Sequence, residues 1–406
     1  MKEARPYQSD TVETVFKKLA AGIKSQLICY ATGLGKTFTA SLIINRFPGR
    51  TLWITHTEEL IDQSARAVLS AEYEGEYDAI IERRGGVIAA LDHLDTSGMF
   101  MQPSEIGLQD AVGIIKQHRM DINAKLVVAS IQTLWRRLDQ IPFDHFDLIV
   151  VDEAHYCMAK TWVKALEHFT PKLKIGLTAT PRRLDGLSLA NIFEEIVDEK
   201  DIKFGIDNEF LCELDAIRLK TDLSLDKVST RMGEFNESEL EKLVDTPKRN
   251  KFIVDNWKKY AEGRITLMAC VTVQHAMNLA AIFNEAGVSA SFIAADEKVC
   301  PNRKERLSLW RSGEITVMCH VMILTAGFDY PDISCVGMAR PTKSLVVYLQ
   351  NIGRGTRMKP GPFKDCIILD IVDATSRHKL VNAWTLDEDK EIEDRVFTSK
   401  EKKIKL

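Results

Sequence analysis

Apolar runs alternate with amphipathic stretches along most of the chain, regularly enough to place its main elements. SQLICY, TLWIT, KLVVAS, FDLIVV and KLKIGLT are short, nearly uninterrupted apolar runs of the kind that form strands covered on both faces. Between them, SDTVETVFKKLAAG and FTASLIINRF read as helices; in the first, Val12, Val15, Phe16 and Leu19 recur at helical spacing. A further helix begins at the Glu58-Glu59 pair. The second half repeats the rhythm, with RITLMACVTV, VSASFIA and ITVMCHVM as strands and HAMNLAAIFNEAG and KERLSLWRSGE as helices. Alternation at this spacing predicts an α/β fold of mainly parallel sheets with helices on both faces, built twice.

Two stretches depart from the pattern. Residues 73–111, with DTSGMFMQPSE, read as a partly helical insertion, and residues 216–250 read as a projecting hairpin and helix, AIRLKTDLSL followed by ESELEKLVD. The rhythm also loosens between 182 and 215, where the first domain is expected to end. At 406 residues the chain is too long for one ordinary core. The expected division is a first domain over 1–205, a second over 206–385, and a charged tail over 386–406.

Composition narrows the class. With 45% hydrophobic and 28% charged residues the chain reads as soluble and globular. No apolar run approaches the ~18 residues of a membrane span, and MKEARPYQSD lacks the apolar core of a secretory signal, so a cytoplasmic location is expected. The eight cysteines stand singly with no C-x-x-C pair, which reads as reduced thiols rather than disulfides or zinc ligands. A formal net charge of −4 excludes a polyanion-coating protein and confines any nucleic-acid contact to a local groove.

The candidate chemistry begins at YATGLGKT, where the run SQLICY feeds a glycine-rich turn and then a helix. Thr32, Gly33, Leu34 and Gly35 form the turn; without Cβ atoms the glycines let backbone N–H groups face an anion at the positive end of that helix. Lys36 is placed to reach the β/γ-phosphates of ATP and the Thr37 hydroxyl to ligate its magnesium ion. Tyr30 stands where the usual first glycine of such a loop would be. About 115 residues downstream, HFDLIVVDEAH delivers two carboxylates at a strand end. Asp152 is the expected second magnesium ligand, and Glu153 the group that orients and deprotonates the attacking water. Gln8, in RPYQ, is either part of an ordinary helix start or an amide that pairs with adenine. Short polar side chains at strand ends, namely Thr57, Ser130, Gln132, Thr133, Thr272 and Thr325, suit contacts to a phosphate backbone. Gly327 and Asp329 fall in a tight turn, and Gln350, Arg354 and Arg357 lie on or just beyond one helix in LVVYLQNIGRGTR. If that helix continues, the two arginines share a face.

In this order, RPYQ, ATGLGKT, THTEEL, VASIQTL, VDEAH, GLTATP, TAGFDYP and QNIGRGTR resemble a superfamily 2 helicase core of the DEAH type. GLTATPRRL and ARPTKSLVVYLQNIGRGTR are most similar to the branch with RadD-type repair helicases and restriction-enzyme motor subunits. The resemblance implies two tandem RecA-like domains gripping ATP, with Arg5 and Gln8 at the adenine, Asp329 near the ribose, and Arg354 and Arg357 at the γ-phosphate. It adds His155 and Gln350 to the catalytic set and places Thr325 near nucleic acid. ATP and Mg2+ are the implied cofactors and DNA, ahead of RNA, the implied partner. The protein would act as a monomer or be recruited by replication or repair proteins. The chain departs from larger relatives in its 73–111 insertion and in lacking a recognisable zinc module or nuclease signature.

Overall fold

The computed structural model describes residues 3–56, 59–73, 76–97, 103–180, 189–231, 234–296, 298–321, 330–359, 361–374 and 403–405. They fall into two compact units, residues 1–201 and 202–406.

The first unit is built on an eight-stranded sheet. Its strands are β1 Ser25–Tyr30, β2 Thr51–Thr55, β3 Val112–Lys116, β4 Arg119–Met120, β5 Leu126–Ser130, β6 Leu148–Val151, β7 Leu173–Thr178 and β8 Glu195–Lys200. Their spatial order is β4-β3-β5-β2-β6-β7-β1-β8, parallel throughout except for the β3–β4 hairpin. β2, β5 and β6 are buried at every residue, which is why they read as continuous apolar runs. Each buried aliphatic side chain there contributes about 1.5–3 kcal/mol through apolar burial. β8 is an edge strand of sequence EIVDEK, and its charged residues hid it from the apolar pattern while suiting an exposed edge. Within 73–111 the described elements are helical, Asp78–Arg84, Val87–Ser97 and Pro103–Ala111.

The second unit carries a seven-stranded sheet. Its strands are β9 Leu214–Ser224, β12 Thr266–Ala269, β13 Ala290–Ile293, β14 Val317–His320, β15 Cys335–Met338, β16 Cys366–Ala374 and β17 Lys403–Lys405. β10 Thr230–Arg231 and β11 Glu234–Phe235 form a separate two-stranded hairpin. The main sheet runs β13-β14-β12-β15-β16-β9-β17, with only β17 antiparallel. One expectation is corrected here. The AIRLKTDLSL stretch does not project as a hairpin; it lies in β9, paired in parallel with β16 from Leu214↔Cys366 through Lys220↔Val372. Its alternation reflects a strand near the sheet edge rather than an excursion from the fold. A short hairpin does follow it, at β10–β11, before the helix Glu237–Val244.

All eight cysteines are buried, and none is joined in a disulfide. No described helix is long and apolar enough to cross a membrane.

Candidate phosphate-binding site

The loop after β1 has the backbone the sequence demands. Gly33 and Gly35 sit at φ 94° and 83°, a left-handed region open to glycine, and the helix Lys36–Arg46 starts immediately after them. A Cβ at Gly35 would also lie 2.6 Å from Gln8 Nε2, so a larger residue there would displace the Gln8 amide. Leu34 is fully buried, while Thr32, Lys36 and Thr37 are partly exposed at the mouth of the loop. The Lys36 ammonium donates to the Tyr30 carbonyl at 2.9 Å and so arches across the loop.

The N-terminal helix, Pro6–Ala20, is fastened onto this loop. Tyr7 Oη and Gln8 Nε2 both donate to the Leu34 carbonyl, at 2.5 and 3.2 Å, and Gln8 Oε1 accepts from the Arg5 backbone N–H at 3.0 Å. Arg5 in turn donates to Tyr7 Oη at 3.3 Å. Gln8 is therefore a helix-capping residue and a loop contact at once, and its amide retains a second N–H and a second lone pair.

Tyr30 explains the missing first glycine. Its side chain is fully buried, its hydroxyl meets Thr11 Oγ1 and donates to Asp198 Oδ2 on β8 at 2.8 Å, and its ring packs edge-on against Tyr7 with centroids 5.5 Å apart. The phosphate loop is thus mounted on both the N-terminal helix and the edge strand. Sequence reasoning missed this mount; an aromatic residue at the loop's first position was its only signal.

The acidic pair follows β6. Glu153 holds φ 49° and ψ 53°, a conformation a non-glycine side chain adopts only under tertiary constraint. Asp152 Oδ1 accepts the Glu153 backbone N–H at 3.0 Å. Burial and the neighbouring Glu153 charge push the Asp152 carboxyl up to about 7, with Lys36 opposing them. Glu153 Oε2 is buried without a hydrogen-bond partner; it lies 3.3 Å from His155 Nδ1, close enough for an ion pair only if the imidazole is protonated. The same nitrogen is 3.4 Å from Thr178 Oγ1 at the end of β7. Tyr156, next in the chain, stacks flat on His56 just past β2, at 3.8 Å and 11°.

Among the other candidates, Ser130 is fully buried and caps the short helix Ile131–Leu134 by accepting from Thr133 N, and Thr133 is 8% exposed. Gln132, between them, is exposed. Thr272 caps the helix Val273–Glu285 and donates to Glu241. Gln350 and Arg354 are buried on the helix Leu345–Gly355. That helix ends before Arg357, which instead bridges to Leu211, so the two arginines do not share a helical face. Thr57, Thr325, Gly327 and Asp329 lie outside the described residues.

The cradle, the lysine and the acidic pair fit a nucleotide phosphate with a divalent cation: backbone N–H groups for the anion, the Thr37 hydroxyl and an Asp152 carboxylate oxygen for the metal. Such a loop on a parallel sheet defines a phosphate-loop nucleotide-binding core. The profile of the family "Type III restriction enzyme, res subunit" matches residues 1–183, and that of "Helicase conserved C-terminal domain" matches residues 248–359. "Putative ATP-dependent helicase IRC3" of Saccharomyces cerevisiae is 29% identical over 385 residues, 92% of this chain and 52% of that protein. The chain thus spans about half the length of this relative. The structure of the ATP-dependent Type ISP restriction-modification enzyme LlaBIII bound to DNA is similar over 93% of this chain and 28% of that one, at 16% identity and TM-score 0.62. The Hef helicase domain of Pyrococcus furiosus is similar over 91% of this chain and 95% of that one, at 16% identity and TM-score 0.51. The chain is thus similar to superfamily 2 helicases, the restriction motors among them, and its fold is that of tandem RecA-like domains.

Proposed function

We propose that this chain is an ATP-driven helicase or translocase that hydrolyses ATP to move along DNA. The observation that carries the reading is the constellation in the first unit: a left-handed glycine loop closed by Lys36, and the Asp152–Glu153 pair with Glu153 Oε2 buried and unbonded. In this reading Lys36 and the loop N–H groups bind the β- and γ-phosphates. Glu153, already lacking a donor, accepts the proton of the attacking water. Thr178 Oγ1, 3.4 Å from His155 Nδ1, sets the imidazole beside that carboxylate. Thr37 and Asp152 would hold Mg2+, which would supply charge neutralisation on the phosphates. Arg354 and Arg357 belong to the second unit and act on the charge that develops at the transferred phosphoryl group. Arg5 and Gln8 recognise the adenine, using the second N–H and lone pair of the Gln8 amide.

A second reading, translocation on duplex DNA without strand separation, is favoured by the match of residues 1–183 to the restriction-enzyme profile. ATPase assays with single-stranded, duplex and forked DNA, and with RNA, separate these readings, and strand-displacement assays distinguish unwinding from translocation. Lys36→Ala should abolish hydrolysis and weaken nucleotide binding. Glu153→Gln should bind ATP without hydrolysing it, because only the proton acceptor is lost. Wild-type turnover in Lys36→Ala, or loss of ATP binding in Glu153→Gln, would contradict these roles.

A further inference from the structure

We infer that Lys359 is a positioning residue for Arg357: its buried ammonium fixes the backbone from which that guanidinium projects. The inference rests on the functional reading above and deepens it by naming what aims the arginine. The helix Leu345–Gly355 stops before Arg357, so its last carbonyls have no partner further along the helix. One cation supplies part of what is missing. Lys359 Nζ donates to the carbonyl of Gly355 at 2.8 Å, to that of Arg357 at 3.3 Å and to that of Ile333 at 2.5 Å. Gly355 is the last residue of the helix, and Ile333 lies two residues before β15. The ammonium therefore ties the helix end and the Arg357 peptide to the entry of a strand in the main sheet. A second segment holds the same turn. Leu211 forms an antiparallel bridge with Arg357, Cys212 N donates to the Thr356 carbonyl at 2.8 Å, and Cys212 Sγ donates to the Gly355 carbonyl at 3.2 Å. The Arg357 backbone is pinned while its side chain stays partly exposed, in contrast to the buried Arg354.

The chemistry of the group explains why a lysine stands there. An ammonium has three N–H donors and no acceptor, and each donor here meets a carbonyl. Lys359 is 6% exposed, and among the described residues no carboxylate is paired with it. A buried cation without a counter-ion is stable only while its donors are satisfied, so displacing any of the three carbonyls is costly. The charge also sits at a helix C-terminus, where the carbonyl ends of the peptide dipoles favour a cation. An apolar side chain of equal length would fill the same space but would constrain none of these backbone atoms. A guanidinium that must meet a phosphate depends on such a constraint, because a misplacement of about 1 Å can cost on the order of 100-fold in rate.

The test is a double-mutant cycle on DNA-stimulated ATP hydrolysis by the full chain, with ATP affinity measured by nucleotide titration. Lys359→Met should lower kcat on the order of 10–100-fold and leave ATP affinity near wild type, the pattern of a misplaced transition-state contact. In the Arg357→Ala background the same substitution should change kcat by less than about 2-fold, because no guanidinium is left to aim. Val254→Ala, a truncation in the core of the same unit, should lower Tm without lowering kcat. A kcat loss of equal size in both backgrounds, wild-type kcat in Lys359→Met, or an equal kcat loss in Val254→Ala overturns this inference alone. If Lys359→Met does not fold, Lys359→Gln, which keeps two N–H donors, enters the same cycle. Failure of both to fold makes the ammonium a requirement of the fold and overturns the positioning role. A wild-type protein that hydrolyses no ATP, or Arg357→Ala with wild-type turnover, overturns the functional reading on which the inference rests.

Discussion

At the scale of single residues, the first candidate site owes its shape to groups that never touch a phosphate. Tyr30 carries the loop on its backbone and anchors it through its side chain to Thr11 and Asp198. Tyr30→Phe keeps the buried ring and removes one hydroxyl, leaving Asp198 short of a donor at a cost of about 1–2 kcal/mol. The expected outcome is a raised KM for ATP with a smaller change in kcat, measured by steady-state hydrolysis; an unchanged KM would show that the loop does not depend on this mount. His320 offers a pH test in the second unit. Burial holds its imidazole down at about 3, the Arg354 charge adds to that, and Asn351 opposes it. Between that value and the unfolded pKa near 6.5, the unfolded chain binds the extra proton, so stability rises with pH across this window and is lost as pH falls through it. At pH 5 this single group removes about 2 kcal/mol. Thermal unfolding at pH 5 and pH 7.5 should show the loss, and His320→Asn should reduce it, His275, held down to about 4 by burial, keeping the rest. A variant melting with the wild-type pH slope would contradict this account.

At the scale of elements, legibility in the sequence followed burial. β2, β5 and β6 are covered on both faces and announced themselves as apolar runs, whereas β8 is an edge strand of mixed charge and did not. β9 was visible as a strand but not as a member of the main sheet, because its parallel partner β16 lies about 150 residues away and alternation says nothing about pairing distance. The phosphate loop and acidic pair were legible because their chemistry needs particular residue types in a short local order. The capping duties of Ser130 and Thr272 were not, since a hydroxyl at a strand end suits a cap and a phosphate contact equally. The glycine that follows Arg354 has a structural reason of the same non-local kind. A Cβ at Gly355 would stand 2.4 Å from Cys366 Sγ and 2.9 Å from Val336 Cγ2, so the helix Leu345–Gly355 can lie this close to β15 and β16 only without one. Gly355→Ala should therefore destabilise the second unit by about 1–3 kcal/mol despite alanine's better helix propensity. That corresponds to a fall in Tm of about 2–4 °C for each kcal/mol. An alanine variant as stable as wild type would mean that the helix can shift outward freely.

At the scale of the whole molecule, the proposed mechanism divides one reaction between two units. Lys36, Asp152 and Glu153 belong to residues 1–201, and Arg357 to residues 202–406. In that proposal an arginine from the second unit would meet a phosphate held by the first only in a closed state, so it would stabilise developing charge in the transition state and add little to ATP binding in an open one. Arg357→Ala should accordingly lower hydrolysis by ~10³ or more, about 4 kcal/mol, while ATP affinity measured by nucleotide titration stays near wild type. Lysine at the same position should not restore the rate, because a point charge lacks the planar fork that spans two phosphate oxygens. Stimulation by DNA should vanish with the guanidinium, since nucleic acid would act by favouring closure and closure would no longer complete the catalytic set. Arg354 provides the internal comparison: it is 4% exposed, on the helix packed over β15 and β16, so its removal should disturb stability as well as rate. DNA-stimulated turnover near the wild-type rate in Arg357→Ala, with the same assay silenced by Arg354→Ala, would move the phosphate-contacting role to Arg354. Near-wild-type turnover in both variants would end the split-site mechanism.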